Sequence, residues 1–242
     1  MAQLWAIRHG QASLFASDYD VLSPRGEEQA RTLGRYLAGA GLSFDRVYCG
    51  PAKRQRDTAS LAREAGGNAW PEAVVVDGLD EHDAFGMLTR VVPKLQHDAE
   101  IAGLQKGITD AADKPERSRA FQRMFEAVMA RWLRDEIDPS DAEPWAAFRT
   151  RVLDTLPQMA ALSAAGEGPA KRVALFSSVG PITVLLQRAL GTADLASFAA
   201  GWRIRNASIS RFEFSRANPD ALTLDGFNGL PHLPDPSTWT FR

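Results

Sequence analysis

Leu4-Trp5-Ala6-Ile7-Arg8-His9-Gly10-Gln11 passes from four apolar residues straight into a cation, an imidazole and a glycine. The apolar run reads as a short strand buried on both faces, the habit of a parallel sheet. In such sheets ligands lie beyond the carboxyl ends of the strands, where Arg8-His9-Gly10 falls. Gly10 lets the backbone turn sharply or approach a ligand. Arg8 offers a fork of donors suited to phosphate. His9 is largely neutral near pH 7 and can act as a nucleophile. The set points to a histidine that attacks a phosphoryl group; on its own it is a weak signal, because a histidine at a strand end is usually just a hydrogen-bonded boundary residue.

The rest of the chain supplies the sheet. Ser23-Pro24-Arg25-Gly26-Glu27-Glu28 starts a helix, with Ser23 as cap and Pro24 in the first turn. Ala30, Leu33, Leu37 and Ala38 follow helical spacing until Gly39 and Gly41. A strand at 44–49, a helix at 52–65 and a strand at 73–76 complete a β-α-β-α-β run, the mark of parallel strands with crossover helices. From 84 to 170 the text turns helical, with stripes at 120–136 and at 145–162, the second open to a kink at Pro157. Residues 106–119 are polar and read as a loop. The sheet pattern resumes at Arg172-Val173-Ala174-Leu175-Phe176-Ser177, followed by a helix at 182–190. Two alternating segments, 207–214 and 221–224, read as antiparallel strands turning near Asn218-Pro219-Asp220.

Composition narrows the function. The chain has 242 residues, 45% hydrophobic and 24% charged, with a net charge of -2. It lacks the basic face that nucleic acid calls for, and it has no apolar run long enough for a membrane span. The single cysteine, Cys49, allows neither an internal disulfide nor a cysteine-cluster metal site. The first residues lack the layout of a secretory signal, so a cytoplasmic location is the expectation.

Three further strand-to-helix junctions matter, because a parallel sheet gathers them at one edge. Lys53, Arg54 and Arg56 fall in the first turns of a helix, where the amino end already favours anions. Basic residues there oppose the helix dipole, a cost that a bound anion would offset. Asp80, Glu81 and Asp83 follow the third strand; one of them, held protonated, would serve as general acid to the leaving oxygen. Ser177-Ser178-Val179-Gly180 offers hydroxyls and amides to an anion.

In order, Arg8-His9-Gly10, Leu22-Ser23-Pro24-x-Gly26-x-x-Gln29-Ala30, Arg54-x-x-x-Thr58-Ala59 and Leu79-x-Glu81 resemble the histidine phosphatase superfamily in its phosphoglycerate mutase-like branch. Glu143-x-Trp145-x-x-Phe148-x-x-Arg151-Val152 extends the match loosely. The resemblance implies a three-layer α/β/α sandwich with a mostly parallel sheet: a single domain over 1–242, with 84–170 as a cap-like helical insertion. It also implies a transient phosphohistidine on His9. Arg8 and Arg54 would hold the phosphoryl oxygens, and Glu81 would protonate the departing alkoxide and then help activate water. Gly10, Gln11 and Ser178 would contribute further substrate contacts. No metal or other cofactor is called for, because the guanidinium forks supply the positive charge.

The chain departs from the family pattern twice. Ser178 stands where the family has a second histidine, and Phe15 where it often has an asparagine. A neutral donor in place of a charged one costs on the order of 1–2 kcal/mol, about tenfold in rate. His82, His97 and His232 are the remaining histidines. The leading expectation is a metal-independent phosphomonoesterase acting on a small phosphorylated metabolite. The alternatives are a phosphoglycerate or sugar-phosphate mutase and a catalytically weakened phospholigand-binding protein. Neither nucleic acid nor membrane is expected as a partner. Trp202, Trp239 and Phe241 call for a packing partner near the C-terminus, and a homo-oligomer stays open.

Overall fold

The computed structural model describes residues 2–13, 20–160, 171–215 and 218–241. Phe15 lies outside them. The chain forms two compact units, residues 1–81 with 150–242, and residues 82–149.

The first unit is built on a six-stranded sheet. Its strands are β1 (Ala2–Arg8), β2 (Arg46–Cys49), β3 (Val74–Val75), β4 (Arg172–Ser177), β5 (Ile209–Ser215) and β6 (Asn218–Gly229), in the order β3-β2-β4-β1-β5-β6. The pairs β2–β3, β2–β4 and β1–β4 are parallel, and β1–β5 and β5–β6 are antiparallel. β1 sits centrally and alternates its side chains between two cores. Trp5 and Ile7 pack with Leu33, Leu37, Ala59 and Ala62, which come from α1 (Pro24–Gly39) and α2 (Lys53–Ala65). Leu4 and Ala6 pack with Leu156 and Met159 of α7 (Leu156–Ala160) and with Ile182 and Leu185 of α8 (Val179–Leu190). Helices therefore cover both faces, giving the expected α/β/α layering.

Local chemistry sets the helix ends. Ser23 accepts from the Gly26 amide at the start of α1, and Gly191 closes α8 at φ +62°, a conformation glycine adopts without strain. A further helix, α9 (Asp194–Gly201), lies between α8 and β5 in a stretch where no element was expected. Two readings of the sheet need correction. The apolar run at 73–76 yields only a two-residue strand whose Val74 and Val75 are exposed, because β3 lies at the sheet edge. The expected antiparallel pair forms, with Ser215 opposite Asn218, but β6 begins at Asn218 rather than at 221.

The second unit is helical: α3 (Ala84–Val91), α4 (Ala99–Thr109), α5 (Lys114–Leu133) and the first half of α6 (Trp145–Leu153). The polar stretch 106–119 is not a loop. It ends α4 and starts α5, where Asp113 accepts from the Glu116 amide and Pro115 occupies the first turn. His82 stacks on Trp132 with ring centroids 4.8 Å apart, and Trp145 and Phe148 close the cluster. The stripe at 145–162 splits into α6 and α7, with Pro157 in the first turn of α7. Residues 150–160 belong to the sheet unit, where Leu156 and Met159 enter its core, so the helical unit ends before the expected 170. Residues 161–170 lie outside the described set. No helix among the described residues is long and apolar enough to cross a membrane.

Candidate active site

The carboxyl end of β1 is held from both sides. The His9 amide donates to the Ser177 carbonyl at 2.9 Å, and the Ala207 amide lies 3.0 Å and 3.2 Å from the Arg8 and His9 carbonyls. The buried Asn206 side chain also donates to the His9 carbonyl, at 3.2 Å. The Gly10 amide donates to Thr58 Oγ1 at 3.0 Å. A Cβ on Gly10 would stand 2.4 Å from the Gly26 carbonyl oxygen, so the turn lies backbone against backbone on α1. These constraints place the imidazole before its own chemistry begins.

Nδ1 of His9 lies 2.7 Å from the Gly10 carbonyl oxygen. A carbonyl can only accept, so Nδ1 carries the proton and Nε2 the lone pair. Arg54 Nε donates to that Nε2 at 3.3 Å. The ring is buried. Burial above all, then the charges of Arg8 and Arg54, hold the His9 pKa well below its ordinary value, against the opposing pull of the Gly10 carbonyl and the Glu81 charge. The ring is therefore a neutral imidazole with its free electron pair at Nε2.

Two guanidinium groups flank it. Arg8 is buried at the end of β1, and its Nη1 donates to the Ile204 carbonyl. Arg54, in the first turn of α2, has a side chain 11% exposed and donates through Nη1 to Asp20 Oδ1 at 2.7 Å. The other two cations of that turn do not join this pair: Lys53 pairs with Asp57 and Arg56 is exposed.

The three carboxylates after β3 separate by role. Both oxygens of Glu81 accept from the Gly180 amide in the first turn of α8, at 3.2 Å and 3.0 Å. Asp80 accepts from the Glu81 amide at 2.8 Å, and burial raises its pKa above the ordinary value. Asp83 caps α3, accepting from the Gly86 amide. The loop carrying Glu81 is clamped by Arg151, whose Nη1 donates to the Gly78 and Asp80 carbonyls at 3.0 Å and 2.9 Å.

Ser178 is buried between β4 and α8, and its Oγ accepts from Gln55 Nε2 at 2.7 Å. The Oε1 of Gln55 accepts from the Ala52 amide. Gln11 turns toward α1: its Oε1 accepts from the Ser23 hydroxyl, and its amide donates to Gln29 Oε1. His232 packs near Tyr36, with no hydrogen bond at either ring nitrogen. Among the described residues no group of three or more His, Cys, Asp or Glu side chains could hold a metal ion. No local sequence pattern singles out Asp20, Gln55 and Asn206, because each acts through a partner distant along the chain.

A neutral histidine flanked by two arginines thus stands at the carboxyl end of a central strand. The chain belongs to the histidine phosphatase superfamily (branch 1), whose family model matches residues 4–100 and 112–225. A 2,3-bisphosphoglycerate-dependent phosphoglycerate mutase of Thermobifida fusca is 43% identical over 76 residues, 29% of this chain and 31% of that protein. The chain thus spans about a third of the length of the curated relatives it matches. Among solved structures, a phosphoglycerate mutase from Bacillus anthracis shares the fold with a TM-score of 0.62 at 18% identity, covering 96% of this chain and 95% of that one. A mycobacterial glucosyl-3-phosphoglycerate phosphatase gives 0.61 at 20% identity, covering 95% and 99%.

Proposed function

We propose that this protein is a phosphomonoesterase that works through a phosphohistidine on His9 and needs no metal ion. The observation that carries the reading is the His9–Gly10 contact, which leaves Nε2 unprotonated beside Arg54. Nε2 attacks the phosphorus of a small phosphate monoester, forming an N–P bond as the ester P–O bond breaks. Arg8 and Arg54 hold the non-bridging oxygens and balance their developing charge. In its protonated form Glu81 gives its proton to the departing alkoxide. In the second half, water attacks the phosphorus, the N–P bond breaks, and Glu81 takes the proton of the water.

A mutase is the second reading, favoured by the Thermobifida fusca relative. It requires the phosphoenzyme to outlive product exchange, whereas Ser178 gives the phosphoryl group no positive charge of its own. The test is turnover of an aryl phosphate, with and without chelator, by the wild type and by His9→Ala. Chelator-resistant turnover that His9→Ala abolishes supports the phosphatase. Turnover that survives His9→Ala refutes it, and isomerised product without phosphate release favours the mutase.

A further inference from the structure

The amino end of α2 is already occupied by an anion of the chain's own. The bridge between Ala12 and Leu22 and the bond from the Ser13 amide to the Val21 carbonyl lay residues 20–23 back beside 11–13. Asp20 thereby reaches the start of α2. Its Oδ2 accepts from the Lys53 amide at 2.6 Å, and its Oδ1 from the Arg54 amide at 3.3 Å and from Arg54 Nη1 at 2.7 Å. Two backbone amides at a helix start and a guanidinium are donors of the kind that bind a phosphoryl oxygen. The same guanidinium reaches His9 Nε2 through its Nε. One planar group therefore separates the Asp20 carboxylate from the atom assigned to accept phosphorus.

We propose that Asp20 is a built-in competitor: its carboxylate holds the Arg54 side chain and the α2 amides until a phosphoryl group displaces it. The inference rests on the reading of Arg54 as a phosphoryl ligand. A phosphate dianion and this carboxylate cannot both use Arg54 Nη1 without like-charge repulsion at short range. Asp20 thus sets a threshold of anionic character for occupancy. A dianionic phosphoryl group exchanges for it, and a monoanionic carboxylate ligand gains little by doing so.

The test is direct titration of inorganic phosphate and of acetate into the wild type, Asp20→Asn and Arg54→Ala, at fixed ionic strength. Asn keeps an acceptor oxygen for the α2 amides while removing the charge, and a melting curve of each variant verifies the fold. Phosphate is expected to bind Asp20→Asn three- to tenfold more tightly than the wild type, and acetate is expected to gain at least as much. Unchanged or weaker phosphate binding in Asp20→Asn, with Arg54→Ala losing it, overturns the competitor and leaves the proposed function standing. Phosphate binding indifferent to Arg54→Ala overturns both.

Discussion

Nδ1 of His9 and the carbonyl oxygen of Gly10 stand 2.7 Å apart, so the residue that follows the histidine chooses its tautomer. Burial and two neighbouring guanidinium groups, acting against the pull of that carbonyl, hold the His9 pKa well below its ordinary value. A nitrogen titration by NMR should find His9 neutral, with the proton on Nδ1, at pH 6. Arg54→Gln should move the midpoint upward, because a neighbouring positive charge disfavours the imidazolium. A midpoint at or above 6.5 would contradict this electrostatic setting of His9.

Asn206 fixes the main chain of the same residue from 197 positions away. Its Oδ1 also accepts from Thr240 Oγ1 at 2.9 Å, tying the C-terminal segment to the His9 turn. Asn206→Ala should cost about 2 kcal/mol, seen as a fall in Tm of roughly 4–8 °C. Asn206→Asp should cost more, since an acceptor would then face the His9 carbonyl. A Tm within about 1 °C of the wild type for both variants would remove the tie from the account.

Ser178 cannot simply be exchanged for the histidine expected at that place. Gln55 Nε2 lies 2.7 Å from its hydroxyl, and both residues are buried. Ser178→His alone should overpack the junction and destabilise by about 1–3 kcal/mol. Adding Gln55→Ala makes room and should recover at least about 1 kcal/mol of that loss, a non-additivity typical of contacting residues. Denaturant unfolding of the four proteins in this cycle reads the coupling; strict additivity would show that the pair does not share the space.

His232 contributes a pH dependence of stability unrelated to the site. Burial lowers its pKa from 6.5 to about 4. Between these values the unfolded chain binds the extra proton, so stability falls as the pH falls. The contribution is intact above about pH 6.5 and lost near pH 4, amounting to about 3 kcal/mol. His232→Leu should flatten the stability profile over this window, as measured by denaturant midpoints at pH 7 and pH 4.5; an unchanged slope would refute it.

What was legible in the chain is what short-range chemistry controls. β1, α1, α2 and β4 announce themselves through apolar runs, a Ser-Pro helix start and closing glycines. Arg8 and His9 are adjacent, so the strand end alone brings them together. Arg54 and Glu81 needed the family motif to be singled out from Lys53, Arg56, Asp80 and Asp83. The polar stretch at 106–119 hides a helix start because an Asp cap and an early proline look like turn residues until the helix follows. Apolar content at Val74 and Val75 says nothing about which strand ends up at the edge. The contacts Asp20–Arg54, Gln55–Ser178 and Asn206–His9 join residues 34, 123 and 197 positions apart, and only folding reveals them.

The central claim is that phosphorus becomes bonded to Nε2 of His9. Acid-avoiding quench of the protein with a 32P-labelled aryl phosphate, followed by peptide mapping and phosphorus NMR of the trapped species, tests it most directly. Acid-labile, base-stable label is expected on His9 at Nε2 and is expected to be absent from His9→Ala. Label on another residue, or label that persists in His9→Ala, would contradict it.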